Sequence, residues 1–227
     1  MKFRPEVKPF LLGSAAFGGV IFLVCAVWGL SMGTSLFAGL LSANISAGYM
    51  LFFFRDPDVF VPDEPGCVIA AASGKIARIT DVYEKDYLKT DTVRISIFLS
   101  LFDVHVNRFP ISGYSTFLGY FPGRRLFTFQ EKSSEVNQNN KILVRGEGTS
   151  CLVTQIVGPV CRRVVYWLRN DKTQPVKRGE RFGMMKFGSR LDMYFPKGDI
   201  EITASVGDQV HAGRTVIARI LPREENQ

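Results

Sequence analysis

Histidine is nearly absent from this chain, with His105 and His211 the only two among 227 residues. Cysteine is scarce as well: Cys25, Cys67, Cys151 and Cys161 are the whole set. These residues show no HExxH or CxxC spacing, so no metal site is expected. The cysteines lack the density of a secreted disulfide domain and read as reduced and structural. Phosphate-loop and nucleophile-elbow signatures are missing too. The stretch from Gly183 to Ser189 lacks the Gly-Lys-Ser/Thr ending of a phosphate loop and runs into strand-like sequence, and no GxSxG occurs. Conventional metal, nucleotide and serine-hydrolase chemistries all lose their signatures here.

The largest absence is of charge. Residues 9–54 contain no Asp, Glu, Lys, Arg or His, whereas 45 of the 49 Asp, Glu, Lys and Arg side chains fall in 55–227. About 20 apolar residues cross a bilayer once, so this run is long enough for two crossings. The expectation is a transmembrane helical hairpin within a membrane region, residues 1–56, with spans over about 10–28 and 36–54 and a turn at 29–35. A secretory signal peptide is the competing reading of the basic leader Lys2, Arg4 and Lys8, but the apolar run outlasts such a signal. Basic residues flank both outer ends and the turn has none. The positive-inside rule therefore puts both ends, and the domain that follows, on the cytoplasmic side of the cell membrane. The net charge of +7 invites a nucleic-acid partner. A membrane-tied chain has a nearer polyanion in its lipid headgroups, so membrane phospholipid is the expected partner and nucleic acid is not. Arg124-Arg125 and Arg162-Arg163 are candidate contacts on that surface.

From Arg55 onward the apolar periodicity is mostly two, broken by Gly, Pro, Asp and Asn. It predicts a mostly β fold over 57–227, a sandwich or barrel-like domain with candidate strands at 67–72, 75–82, 92–99, 113–121, 141–145, 151–156, 164–168, 191–195, 200–204 and 215–221. The G-D-x-V-x-x-G turn at 207–213 resembles the hairpin of biotinyl and lipoyl carrier domains. It has no lysine at the tip, so attachment of either group is not expected.

One remaining pair offers chemistry of its own. Gly188-Ser189 lies between β segments, and an isolated Gly-Ser is ordinarily only a turn. If the backbone were strained there, the Ser189 hydroxyl could attack the Gly188 carbonyl, and elimination and hydrolysis would leave a pyruvoyl group.

The chain resembles the phosphatidylserine decarboxylase proenzymes of the short, membrane-hairpin type. The resemblance rests on motifs in family order: Phe53-Phe54-Arg55-Asp56-Pro57, Asp103-Val104-His105-Val106-Asn107-Arg108 with Pro110, Asn137-Gln138-Asn139-Asn140, Gln155-Ile156-Val157-Gly158 with Arg162-Arg163, and Arg178-Gly179-Glu180-Arg181-Phe182-Gly183 leading to Lys186-Phe187-Gly188-Ser189-Arg190. It implies self-cleavage between Gly188 and Ser189 into fragments 1–188 and 189–227, which stay together as a heterodimer. Ser189 would become the pyruvoyl cofactor and form a Schiff base with phosphatidylserine, whose decarboxylation gives phosphatidylethanolamine. His105 is implied as the acid/base residue. Asp103, expected on the same strand face, would orient it. Arg190 is a candidate for the lipid phosphate or carboxylate, and His211 reads as exposed. Two departures stand out: many family members have Pro-Ala-Asp-Gly where this chain has Ala71-Ala72-Ser73-Gly74, and a second histidine of some branches is Arg108 here. Either His105 takes over the aspartate's role in processing, or backbone strain and Ser73 suffice. Alternatives are a lipid-binding β module that has lost processing, and a pyruvoyl decarboxylase of another serine phospholipid.

Overall fold

The computed structural model describes residues 2–159 and 164–222, in two compact units divided after Asp58. Cys161 and the Arg162-Arg163 pair lie outside the described residues.

In the first unit, a short 3-10 turn at Pro5–Val7 leads into α1 (Lys8–Val27), followed by α2 (Met32–Phe53). Both helices are long and apolar enough to cross a membrane. They pack through small residues: a Cβ on Gly18 would stand 2.5 Å from the Gly39 carbonyl oxygen, and the hydroxyls of Ser14 and Ser46 meet at 2.9 Å. The second helix begins at Met32, four residues before the expected span, because Ser31 caps it by accepting the Thr34 N–H at 3.2 Å. Strands β1 (Lys2–Phe3) and β2 (Arg55–Asp56) pair below the hairpin, and Arg4 reaches the Asp56 carboxylate at 3.3 Å.

The second unit is mostly β. Its strands are β3 (Cys67–Ile69), β4 (Gly74–Glu84), β5 (Thr90–Leu99), β6 (Val106–Arg108), β7 (Gly113–Phe121), β8 (Asn139–Arg145), β9 (Ser150–Val157), β10 (Val165–Tyr166), β11 (Gln174–Val176), β12 (Arg181–Met184), β13 (Ser189–Pro196), β14 (Ile200–Ile202), β15 (Gln209–Val210) and β16 (Val216–Ile220). A single helical turn, α3 (Ser133–Val136), lies in the excursion between β7 and β8. Eight strands form one antiparallel sheet in the order β11-β7-β8-β9-β13-β5-β4-β15. Two three-stranded sheets, β14-β16-β3 and β10-β12-β6, complete the domain.

Alternation of side chains gives the large sheet two different faces. Leu191, Met193 and Phe195 of β13, Ile95 and Ile97 of β5, Val153 of β9 and Ile142 of β8 point into one core, with Val68, Ile200 and Ile217 of a smaller sheet buried in it. Truncating one such residue to alanine costs roughly 2–5 kcal/mol. Cys151 is buried there, and desolvation pushes its thiol well above the ordinary value, leaving it inert. The other face carries Arg94 and Ser96 of β5, Thr154 of β9 and Arg190, Asp192 and Tyr194 of β13. Strand β13 runs between β5 and β9, so both of its edges are paired.

Candidate active site

Ser189 opens β13, fully buried, paired with Leu99 on one side and Val157 on the other. The two residues before it are both left-handed, Phe187 at φ 50° and Gly188 at φ 69°. Glycine takes that conformation freely, whereas for phenylalanine it costs about 1–2 kcal/mol. The strain therefore falls on Phe187, one residue before Gly188. The turn is tight enough for Ser189 Oγ to donate to the Lys186 carbonyl at 3.5 Å.

The Gly188 carbonyl oxygen has two notable neighbours. Thr128 Oγ1 donates to it at 3.4 Å, and a Cβ on Gly158 would stand 2.9 Å from it. Thr128 is itself buried, held by a clamp from the Asn137-Gln138-Asn139-Asn140 segment. Asn137 Oδ1 accepts the Leu126 N–H at 2.9 Å, while its Nδ2 donates to the carbonyls of Leu126 at 2.7 Å and Val157 at 2.9 Å. One amide side chain thereby ties the Thr128 segment to the end of β9, beside Ser189.

His105 is fully buried, and its Nδ1 lies 2.9 Å from the Asp103 carbonyl. A carbonyl only accepts, so Nδ1 carries the hydrogen and proton exchange falls to Nε2. The His105 carbonyl accepts the Met185 N–H at 3.2 Å, tying this histidine to the segment that runs on to Gly188. Next to it, Asn107 Oδ1 accepts from Gln155 Nε2 at 2.7 Å, and Gln155 Oε1 accepts from Asn140 at 3.4 Å. Three motif segments thus converge in one buried polar chain. Asn107 Nδ2 is buried with no partner among the described residues, a donor available to a bound acceptor.

Other sequence candidates lie differently from expectation. Asp103 is in a turn, not on a strand beside His105: its carboxylate accepts the Ser100 N–H at 2.8 Å and the Gln209 amide at 3.1 Å, and its main chain holds the histidine. Arg190 is buried on the opposite face of β13 from Ser189, since neighbours in a strand alternate. Its Nε donates to Asp192 at 2.8 Å and its Nη2 to Ser96 at 2.7 Å, so it serves the sheet rather than a lipid group beside Ser189. Ser73 Oγ accepts the Ala212 N–H at 3.0 Å, a contact with the turn after β15; that strand pairs with β4 and not with β16, so the carrier-type hairpin expected at 207–213 is not formed. His211 is exposed.

Among the described residues no three His, Cys, Asp or Glu side chains converge as a metal site. The fold and site describe a β-sheet protein with a buried serine behind a strained turn, a histidine of fixed tautomer and a hydroxyl donor aimed at a backbone carbonyl. Buried polar groups gathered in this way define the class of a candidate enzyme site. Comparison with known proteins narrows the class: a profile of the phosphatidylserine decarboxylase family matches residues 47–218. The chain is 39% identical over 214 residues to a phosphatidylserine decarboxylase proenzyme of Syntrophotalea carbinolica, covering 93% of this chain and 94% of that one. It is 38% identical over 178 residues to one from Desulfotalea psychrophila, covering 78% and 82%. A third, from Gluconacetobacter diazotrophicus, is 36% identical over 224 residues, covering 96% and 94%. The chain belongs to the phosphatidylserine decarboxylase family, enzymes of the carboxy-lyase class.

Proposed function

We propose that the chain cuts itself between Gly188 and Ser189 and, once cut, decarboxylates phosphatidylserine to phosphatidylethanolamine. The observation that carries this reading is the left-handed pair Phe187 and Gly188 immediately before a buried serine, with Thr128 donating to the carbonyl that must be attacked. Ser189 Oγ adds to the Gly188 carbon, and the C–N bond breaks to leave an ester and a free amine. Loss of the Ser189 Cα proton expels the Gly188 carboxylate and leaves dehydroalanine. Its imine tautomer takes up water and releases ammonia, leaving a pyruvoyl group on the fragment 189–227. Negative charge develops on the Gly188 oxygen in the first step, where a fixed hydroxyl donor is worth most.

The residues around Ser189 fit such a group. Strand β13 stays bonded on both edges to β5 and β9, and β15 and β16 pair with β4 and β3, so the two fragments remain one heterodimer after the cut. A pyruvoyl group at position 189 would supply an electrophilic carbonyl for the substrate amine and a sink for the electron pair left by departing carbon dioxide. His105, with Nδ1–H fixed by the Asp103 carbonyl, offers Nε2 to carry the proton that replaces the carboxylate. Asn107 Nδ2 offers a buried donor to the substrate carboxylate. The hairpin α1–α2 holds the enzyme at its lipid substrate, with the basic flanks favouring the cytoplasmic side.

The test is the intact mass of the C-terminal fragment, with borohydride trapping of its ketone. A pyruvoyl terminus at residue 189 is expected, absent with decarboxylation in Ser189→Ala. A single uncut chain in an active preparation sinks the proposal. His105→Ala in already processed protein should lower turnover by about 10²–10⁴-fold.

A further inference from the structure

Residues 127–129, with Thr128 at the centre, face two ways. Thr128 points inward, 3% exposed, whereas Phe127 and Phe129 on either side are 56% and 67% exposed. Their rings stack nearly parallel, 5.5 Å apart at 19°. Exposed Arg124 and Arg125 precede this pair and exposed Lys132 follows it. A lone exposed aromatic would need no explanation, but two stacked ones inside a basic cluster do.

The rings are not what holds the segment in place. Asn137 pins Leu126 from both sides, Ser133 Oγ donates to the Thr128 carbonyl at 3.3 Å, and Glu131 forms ion pairs with Arg94 and Arg78. The backbone is fixed from beneath and the two rings are presented outward.

We propose that Phe127 and Phe129, with Arg124, Arg125 and Lys132, form a lip of the β domain that docks into an anionic phospholipid bilayer, a contact distinct from the helices α1 and α2. Aromatic rings favour the headgroup layer, and flanking cations complement its phosphates and carboxylates. The inference rests on the reading of the Ser189 site as acting on a lipid. It adds that the segment carrying the Thr128 hydroxyl also rests on the bilayer, which keeps the Ser189 site close to the headgroup layer.

The test uses the full processed chain with Phe127→Ser and Phe129→Ser combined. Decarboxylation of phosphatidylserine in phosphatidylcholine vesicles should fall about tenfold, with processing unchanged and turnover of a short-chain, monomerically dispersed phosphatidylserine within about twofold of the parent. Equal loss on both substrates, or loss on neither, overturns the lip. A changed oligomer mass in micelles would assign the rings to a second copy and also overturn it. Independently of activity, the indole of Phe127→Trp should be quenched by brominated lipid, after subtraction of the parent signal, and that of Tyr83→Trp, at an exposed position, should not. Equal quenching or none at 127 overturns the proposal. Should the parent turn over neither lipid, the reading of the site fails, and the quenching still decides the lip.

Discussion

Thr128 and Gly188, sixty residues apart in sequence, meet through one hydrogen bond, the threonine hydroxyl donating to the glycine carbonyl at 3.4 Å. The bond is long for a hydroxyl donor, as befits a ground state whose carbonyl oxygen has not yet gained charge. Thr128→Val keeps the shape and removes the donor. Self-cleavage should slow by about 10²–10³-fold, and Thr128→Ser should stay within a few-fold of the parent. Pulse-labelled synthesis, following appearance of the small fragment, gives the rate; equal cleavage by the valine variant would refute the role.

The clamp that presents Thr128 should be as sensitive. Asn137→Ala leaves the Leu126 N–H and the Leu126 and Val157 carbonyls without their side-chain partner, at roughly 1–3 kcal/mol for each group that stays buried. Asn137→Asp should be no better, because two of the three bonds need a donor and a carboxylate offers none. Denaturant titration of the processed protein in micelles, with the cleavage rate alongside, should show both variants destabilised and slow. An aspartate variant matching the parent would mean that the clamp is not what holds the segment.

How much of this was readable beforehand differs between fold and site. Long strands such as Gly113–Phe121 announce themselves by alternation, whereas Val106–Arg108, Gln174–Val176 and Arg181–Met184 are too short to show a period, and Pro175 takes a ladder donor from one of them. Gly33, Thr34 and Ser35 read as turn because they favour turns in water; in the structure they open a capped apolar helix. At the site, Gly188-Ser189 and His105 were visible through motifs. Thr128 was not, because a lone threonine between two phenylalanines has no pattern and its meaning comes from a contact across the fold. Arg190 drew attention as Ser189's neighbour, yet adjacency in a strand means opposite faces. Asp103 was assigned to a strand, but the turn closed by its carboxylate on Ser100 hands the histidine a carbonyl instead.

Gly158 supplies a steric test of the same carbonyl. A methyl there would approach Gly188 O to 2.9 Å and Thr128 Cγ2 to 3.4 Å, while the backbone itself needs no positive φ. Gly158→Ala should therefore push the Thr128 hydroxyl and the carbonyl apart without unfolding the domain. The expected outcome is cleavage slowed by about tenfold or more, with a melting temperature within a few degrees of the parent. Unchanged cleavage would show that the carbonyl tolerates displacement.

The ion pairs beneath the Thr128 segment give an acid dependence whose sign can be worked out. Burial alone would raise the Glu131 carboxyl, but the hydrogen bond and charge of Arg94, with the charges of Arg190 and Arg78, more than offset it and hold the group below its ordinary value. A carboxyl lowered in the folded state adds stability that is fully present above its unfolded value, about 4.3, and is lost as pH falls through the lower folded one. On the other side of the pair, burial would lower Arg94, but Asp192, Tyr194 and Glu131 hold it above its usual value, so it stays charged throughout. Glu131 is 41% exposed on its side chain, so screening keeps the effect modest. Melting of the processed protein in micelles should therefore decline below about pH 4.5 more steeply in the parent than in Glu131→Gln. The glutamine variant, unable to balance two guanidinium groups, should already be the less stable at pH 7, so that the two curves converge in acid. Parallel curves across that range would show that the carboxylate contributes nothing to holding the segment against the sheet.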